Sequence, residues 1–185
     1  MSAARMNPAT PPFSDAVQKT LDRLMPPGVP PLVLFTTLAR SERAFLRFMA
    51  AGLLDKGPVD LREREIMIDR TCARCGSEYE WGVHVALFAQ RAELSDGQVA
   101  ATASRGIDPS LWSAREQLIL RLADELYDSA TIGDDLWGQL SAAFSDEQIL
   151  EFILLAGFYR MVAYLTNGLR LPLEAYAARF PSKRG

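Results

Sequence analysis

Four times this chain repeats one short pattern, a serine followed three residues later by Glu or Gln: Ser77 with Glu80, Ser95 with Gln98, Ser113 with Glu116 and Ser145 with Gln148. Each is the form of a capping box, in which the serine hydroxyl accepts from the backbone three residues on and the longer side chain reaches back to the serine N–H. Two of the orphaned donors of a helix start are satisfied in this way. No run alternates apolar and polar residues at period two for long enough to argue a sheet. The sequence therefore predicts an all-α, single-domain helical bundle over residues 14–180, with an arm at 1–13 and a tail at 181–185.

Pro8, Pro11 and Pro12 exclude a regular element from the arm, leaving it free to drape over a neighbour. Ser14-Asp15 caps a short helix that Pro26-Pro27-Gly28 ends. Pro30-Pro31 then preset one helix carrying Leu32, Leu34, Phe35, Leu38, Phe45, Leu46 and Met49 as far as the turn Asp55-Lys56-Gly57-Pro58. Residues 117–127 and 134–143 read as two further helices. Residues 149–169 are apolar on most sides, which predicts a central helix buried by several neighbours or by another subunit and stopped by Pro172.

The chemistry gathers in residues 62–84, which hold both cysteines, the only histidine and several carboxylates. Glu65 and Cys72 stand nearly two helical turns apart and share a face, while Ser77, Glu80 and His84 form a second stripe. Gly76 between them accepts the left-handed conformation that closes a helix, so the stretch predicts a helical hairpin at the centre of the bundle. His84 is the one side chain here whose ordinary pKa lies near neutrality. Glu80, one turn before it, is placed to hold the imidazole, and the hairpin should carry Glu65 toward the same pocket. Cys72 and Cys75 are spaced as a redox or metal pair. Zinc would need Glu80 to complete Cys72, Cys75 and His84, because the chain has no other cysteine or histidine, so no metal or other cofactor is expected. Against these roles stand blander ones: two buried thiols at a bend, a capping box that accounts for Ser77 and Glu80, and packing for Tyr79 and Trp81.

Charge excludes one class of partner. With 20 Lys and Arg against 23 Asp and Glu and a net charge of −3, nothing is available to condense on phosphates, so nucleic acid is not a partner. The start lacks the apolar run of a signal peptide, and the apolar stretches read as broken by charges before they reach bilayer-spanning length. A cytoplasmic location without membrane contact is the resulting expectation.

At Glu65, Tyr79-Glu80-Trp81 and His84 the sequence resembles the carboxymuconolactone decarboxylase family, which includes thiol peroxidases of the alkylhydroperoxidase D type. The order of Arg64-Glu65-Ile66, Glu78-Tyr79-Glu80-Trp81-x-x-His84, Leu154-Leu155-Ala156-Gly157-Phe158-Tyr159 and Asn167 to Glu174 extends the resemblance over roughly residues 30–180. It implies an all-α fold assembled into symmetric rings, trimers or hexamers. In the peroxidases a Cys-x-x-Cys opens the hairpin's second helix, and a histidine and a glutamate relay protons. Set on this chain, the relay falls on His84 and Glu65, but the thiol positions fall on Ser77 and Glu80. The cysteines stand five residues earlier.

The leading expectation is a thiol-dependent hydroperoxide reductase of peroxiredoxin type, with Cys75 attacking, Cys72 resolving, His84 and Glu65 moving protons and a thiol protein as reductant. The alternative is a cofactor-free proton-transfer enzyme acting on a small carboxylated or lactone compound through His84 and Glu80. In either, Ser77, Tyr79 and Trp81 would line the substrate pocket. A third expectation is an oligomeric protein without catalysis, in which the hairpin is an assembly element.

Overall fold

The computed structural model describes residues 3–25 and 28–182, which form nine α-helices and no strand. They are α1 (Asp15–Leu24), α2 (Val33–Leu38), α3 (Glu42–Ala51), α4 (Leu61–Arg74), α5 (Glu78–Phe88), α6 (Asp96–Thr102), α7 (Ala114–Ser129), α8 (Asp134–Ala143) and α9 (Asp146–Gly168). Both halves of the capping box form at Ser95, Ser113 and Ser145, which open α6, α7 and α9. Ser14 caps α1, whereas Pro26, Pro27 and the tail residues Lys183 and Arg184 lie outside the described residues. The single helix expected after Pro31 is two. Its apolar spacing runs through the break, but Ser41 takes the extended conformation and accepts from the Ala44 N–H, starting α3 afresh.

The centre of the bundle is α4 rather than α9. Every residue from Glu63 to Cys72 is buried, and the helix packs against α5, α6, α7 and α9. Its charges are buried because they are paired. Arg62 with Glu116, Arg70 with Asp124 and Arg74 with Asp128 bridge to α7, each pair separated by 54 residues in sequence. One constant offset means that the two helices run parallel and in fixed register. Arg70, with no exposed side-chain surface, grips Asp124 through two bonds of 2.7 Å and gives its third nitrogen to the Thr102 and Ser104 carbonyls, which ties α6 in as well.

Contrary to the sequence reading, α9 is long and apolar enough to cross a bilayer by length and composition. It buries Ile149, Phe152, Leu155, Tyr159, Val162 and Thr166 against the bundle and leaves another face open. Leu169 and Arg170 close it two residues before Pro172. The arm lies on its own chain, where Arg5 donates to the Gly168 and Leu169 carbonyls at the end of α9 and the Ala9 N–H bonds Thr36.

After α9 the chain returns as a strap across α5. Glu174 accepts from the Tyr79 hydroxyl at 2.5 Å and the Val33 N–H at 2.6 Å, and the Phe180 ring packs 5.0 Å from Trp81. The strap reaches α5 at Gly82, whose carbonyl accepts from the Ala178 N–H, and a Cβ at Gly82 would fall 2.2 Å from the Ala178 carbonyl oxygen. Alanine favours a helix over glycine by about 1 kcal/mol, but here the clash is with backbone. Gly82→Ala is expected to lose about 1–3 kcal/mol net. Chemical denaturation checks this, and an unchanged or raised midpoint would show that the strap yields freely.

Candidate functional site

The hairpin turns on a Schellman motif. Gly76 takes φ +64°, its N–H bonds the Ala73 carbonyl, and the Ser77 N–H bonds the Cys72 carbonyl. Ser77 accepts from the Glu80 N–H at 3.4 Å and so caps α5. The reciprocal half of the expected capping box is absent, because the Ser77 N–H is already spent on α4. Glu80 is thereby released, and its carboxylate turns to His84.

Three residues placed together by sequence reasoning meet in the bundle interior. His84 Nδ1 lies 2.7 Å from Glu65 Oε2, and His84 Nε2 lies 3.5 Å from Glu80 Oε1. Glu65 has no exposed side-chain surface, and its other oxygen accepts from Arg64 Nε at 3.0 Å. The Tyr159 ring stands edge-on to the imidazole at 4.9 Å and Phe88 lies 5.2 Å from it, closing off water. Glu80 Oε2 is buried with no hydrogen-bond partner. It is the free end of the Glu65–His84–Glu80 chain. Burial alone would lower the His84 pKa, but the hydrogen bonds to Glu65 and Glu80 outweigh it and raise the value to about 10. At neutral pH the ring is an imidazolium between two carboxylates.

Sequence reasoning missed Asp69, one turn beyond Glu65 on α4. It is buried, Oδ1 has no partner, and burial together with the Glu65 charge pushes its pKa well above the carboxylate range. Its spacing from Glu65 and Cys72 was the available signal. It also missed Arg64 and Tyr159, the two residues that complete the surroundings of Glu65 and His84.

The cysteines occupy a different environment from a helix start. Both are free thiols at the end of α4, where the dipole is negative. Cys72 is fully buried, and burial plus the charges of Glu80 and Asp69 raise its pKa well above the thiol range. Cys75 is half-buried, raised by burial and drawn back by Arg160 and Arg74. The three residues expected to line a pocket serve the scaffold. Ser77 bonds the Thr166 hydroxyl at 2.9 Å, Tyr79 bonds Leu34 and Glu174, and Trp81 Nε1 donates to Thr102 at 2.9 Å.

Solved structures share this architecture. A peroxidase-related protein from Silicibacter sp. TM1040 superposes with a TM-score of 0.78 at 19% identity, over 98% of this chain and 100% of that one. An alkylhydroperoxidase AhpD core protein from Ralstonia eutropha JMP134 gives 0.77 at 19%, over 95% and 94%. The debrominase Bmp8, a cysteine-to-alanine variant in complex with 2,3,4-tribromopyrrole, gives 0.67 at 16%, over 95% and 94%. No curated protein matches the chain. The fold is thus that of the alkylhydroperoxidase D-like helical proteins. Residues 39–125, which contain the whole hairpin, match the Carboxymuconolactone decarboxylase family, and this segment belongs to it. That match is narrower than the resemblance read over residues 30–180, and the pieces in α9 and the strap lie outside it.

The raised His84 pKa makes stability depend on pH in a defined direction. Below the unfolded value of 6.5 both states hold the proton and the stabilisation is complete. Between there and about 10 only the folded state holds it, so stability falls by up to about 1.4 kcal/mol per pH unit. Urea titrations at several pH values should show this slope in the wild type and its loss in His84→Gln. Equal slopes would place the proton elsewhere.

Proposed function

We propose that this protein is a cofactor-free acid–base enzyme acting on a small carboxylated or lactone compound, with Glu80 as the group that meets the substrate. The observation that carries this reading is the unpartnered Glu80 Oε2 at the end of a buried relay whose other atoms are committed. Glu80 accepts a proton from carbon beside a carbonyl, and the imidazolium at Nε2 returns one to the oxygen or carbon that gains charge. Glu65 fixes the tautomer through Nδ1 and stabilises the positive ring, while Arg64 holds Glu65 in place. Asp69, kept neutral, adds no second negative charge to compete for the proton. The debrominase neighbour holds a small ring compound, which supports a substrate of that size.

A second reading is the thiol-dependent hydroperoxide reductase, favoured by Cys75, which is half-buried with Arg74 and Arg160 drawing its thiol toward ionisation. It is placed second because Ser77, not a thiol, occupies the start of α5, and because Cys72 is buried among carboxylates that oppose the thiolate.

A panel of small lactones, keto acids and organic hydroperoxides distinguishes the two. Turnover of the first classes should fall about a hundredfold or more in Glu80→Gln and His84→Gln, and should survive Cys72→Ser and Cys75→Ser. Hydroperoxide turnover that consumes both thiols and is abolished by either serine variant would overturn the acid–base assignment in favour of the thiol one.

A further inference from the structure

One face of α9 has no partner in the chain. Leu150, Leu154 and Tyr164 are 61%, 60% and 63% exposed and Met161 38%, with Gly157 exposed between them. The positions 150, 154, 157, 161 and 164 alternate steps of four and three, so they form one straight seam within a narrow arc of the helix. The seam is symmetric about its middle. Leu154 and Met161 flank Gly157 a turn away on either side, and Leu150 and Tyr164 stand seven residues out. A Cβ at Gly157 would meet nothing within 4 Å, so nothing inside the chain requires glycine there. A mid-helix glycine costs about 1 kcal/mol relative to alanine, which a close approach from outside would offset.

Beside this ridge runs a groove of about 640 Å³ between α9, the last turns of α7 and the end of α4, lined by Cys75, Leu126, Tyr127, Ile153, Gly157 and Tyr164. A surface with a ridge and a groove side by side is self-complementary under a two-fold rotation. Charge selects the direction. A parallel pairing would set Glu147, Glu151 and Arg160 each against its own copy, whereas an antiparallel one places the acids of one helix beside the uncharged far half of the other and opposes the two helix dipoles.

We propose that α9 is a two-fold interface with a second copy of this chain, the helices crossing antiparallel at Gly157, Leu150 meeting Tyr164 of the second copy and the ridge leucines closing the mouth of the groove over Cys75. It makes the expected symmetric assembly specific at one contact and does not depend on the acid–base reading. Any larger ring would use this contact together with a different one.

The test uses the full chain. Light scattering should give twice the 20.5 kDa chain mass or an even multiple of it. Leu154→Arg, at an exposed position, should keep the helical circular dichroism and remove the contact, so that a two-chain species becomes a monomer. In a Cys75→Ser background, Gly157→Cys treated with diamide, which takes up the two thiol hydrogens, should give a disulfide-linked dimer. Gly138→Cys, at another open helical glycine, should not. In the wild type, alkylation of Cys75 by N-ethylmaleimide should slow about tenfold as concentration rises through assembly, and Leu154→Arg should restore it. A monomer at 100 µM, an odd-numbered ring indifferent to Leu154→Arg, absence of the Gly157→Cys crosslink, or lipid-vesicle binding by a monomer that Leu154→Arg abolishes would each overturn the proposal.

Discussion

A carboxylate without solvent contact persists as an anion only where its lost hydration is replaced, and Glu65 is such a group. Arg64 supplies one oxygen and His84 the other, so the negative charge is surrounded by two donors and held. Removing one partner of a buried pair of this kind typically costs about 3–5 kcal/mol, because the other charge is left stranded. This obligation shapes the hairpin. With Nδ1 of His84 fixed by Glu65, Nε2 is left for Glu80, and with one Glu80 oxygen near the ring the other is left over. The arrangement has one open end, where a proton can be exchanged with something other than the protein.

The rest of the fold keeps that chain of groups from relaxing. Helix α4 carries carboxylates toward α5 on one side and arginines toward α7 on another, and the repeated 54-residue offset of the arginine pairs prevents it from sliding or rotating. Glu63, paired with Arg115, adds a contact of opposite polarity to the same seam. On the other helix the strap from Glu174 to Phe180 does comparable work, and Gly82 allows it to lie directly on the turn between Glu80 and His84. Two helices held from outside can keep a 2.7 Å contact between their side chains without that contact supplying the holding force.

Most of this was legible where local chemistry and tertiary demand agree. The boxes at Ser95, Ser113 and Ser145 opened the helices they predicted, since nothing competes for either of their bonds. The box at Ser77 formed only by half, because a Schellman turn belongs to two helices at once and uses the N–H that Glu80 would have taken. Helical periodicity carried straight through residues 39–41, hiding the join between α2 and α3, since two helices packed on one core present their apolar residues in similar spacing. Apolar content identified α9 as important but misjudged which helix is central. The most buried helix is the one whose charges all find partners, and partners 54 residues away leave no local mark. Asp69 was overlooked for a related reason, as a single acid on a helix reads as solvent-facing until its surroundings are known.

The position of the thiols follows from the same electrostatics. A cysteine in the first turn of a helix meets exposed N–H groups and the positive end of the dipole, which lower its pKa, whereas the last turn of α4 presents carbonyls. Cys72 sits there beneath Glu80 and Asp69, so a thiolate would be a further negative charge in a cluster whose one cation, His84, is already engaged by Glu65. Cys75 is relieved by Arg74 and Arg160, but it opens toward the groove along α9. The two cysteines therefore divide between two regions of the molecule, the relay interior and the α9 groove. The carboxylate of Glu80 stands where the peroxidase pattern would put a thiol, and it brings to that position an oxygen base that needs no oxidant, no reductant and no metal to move a proton.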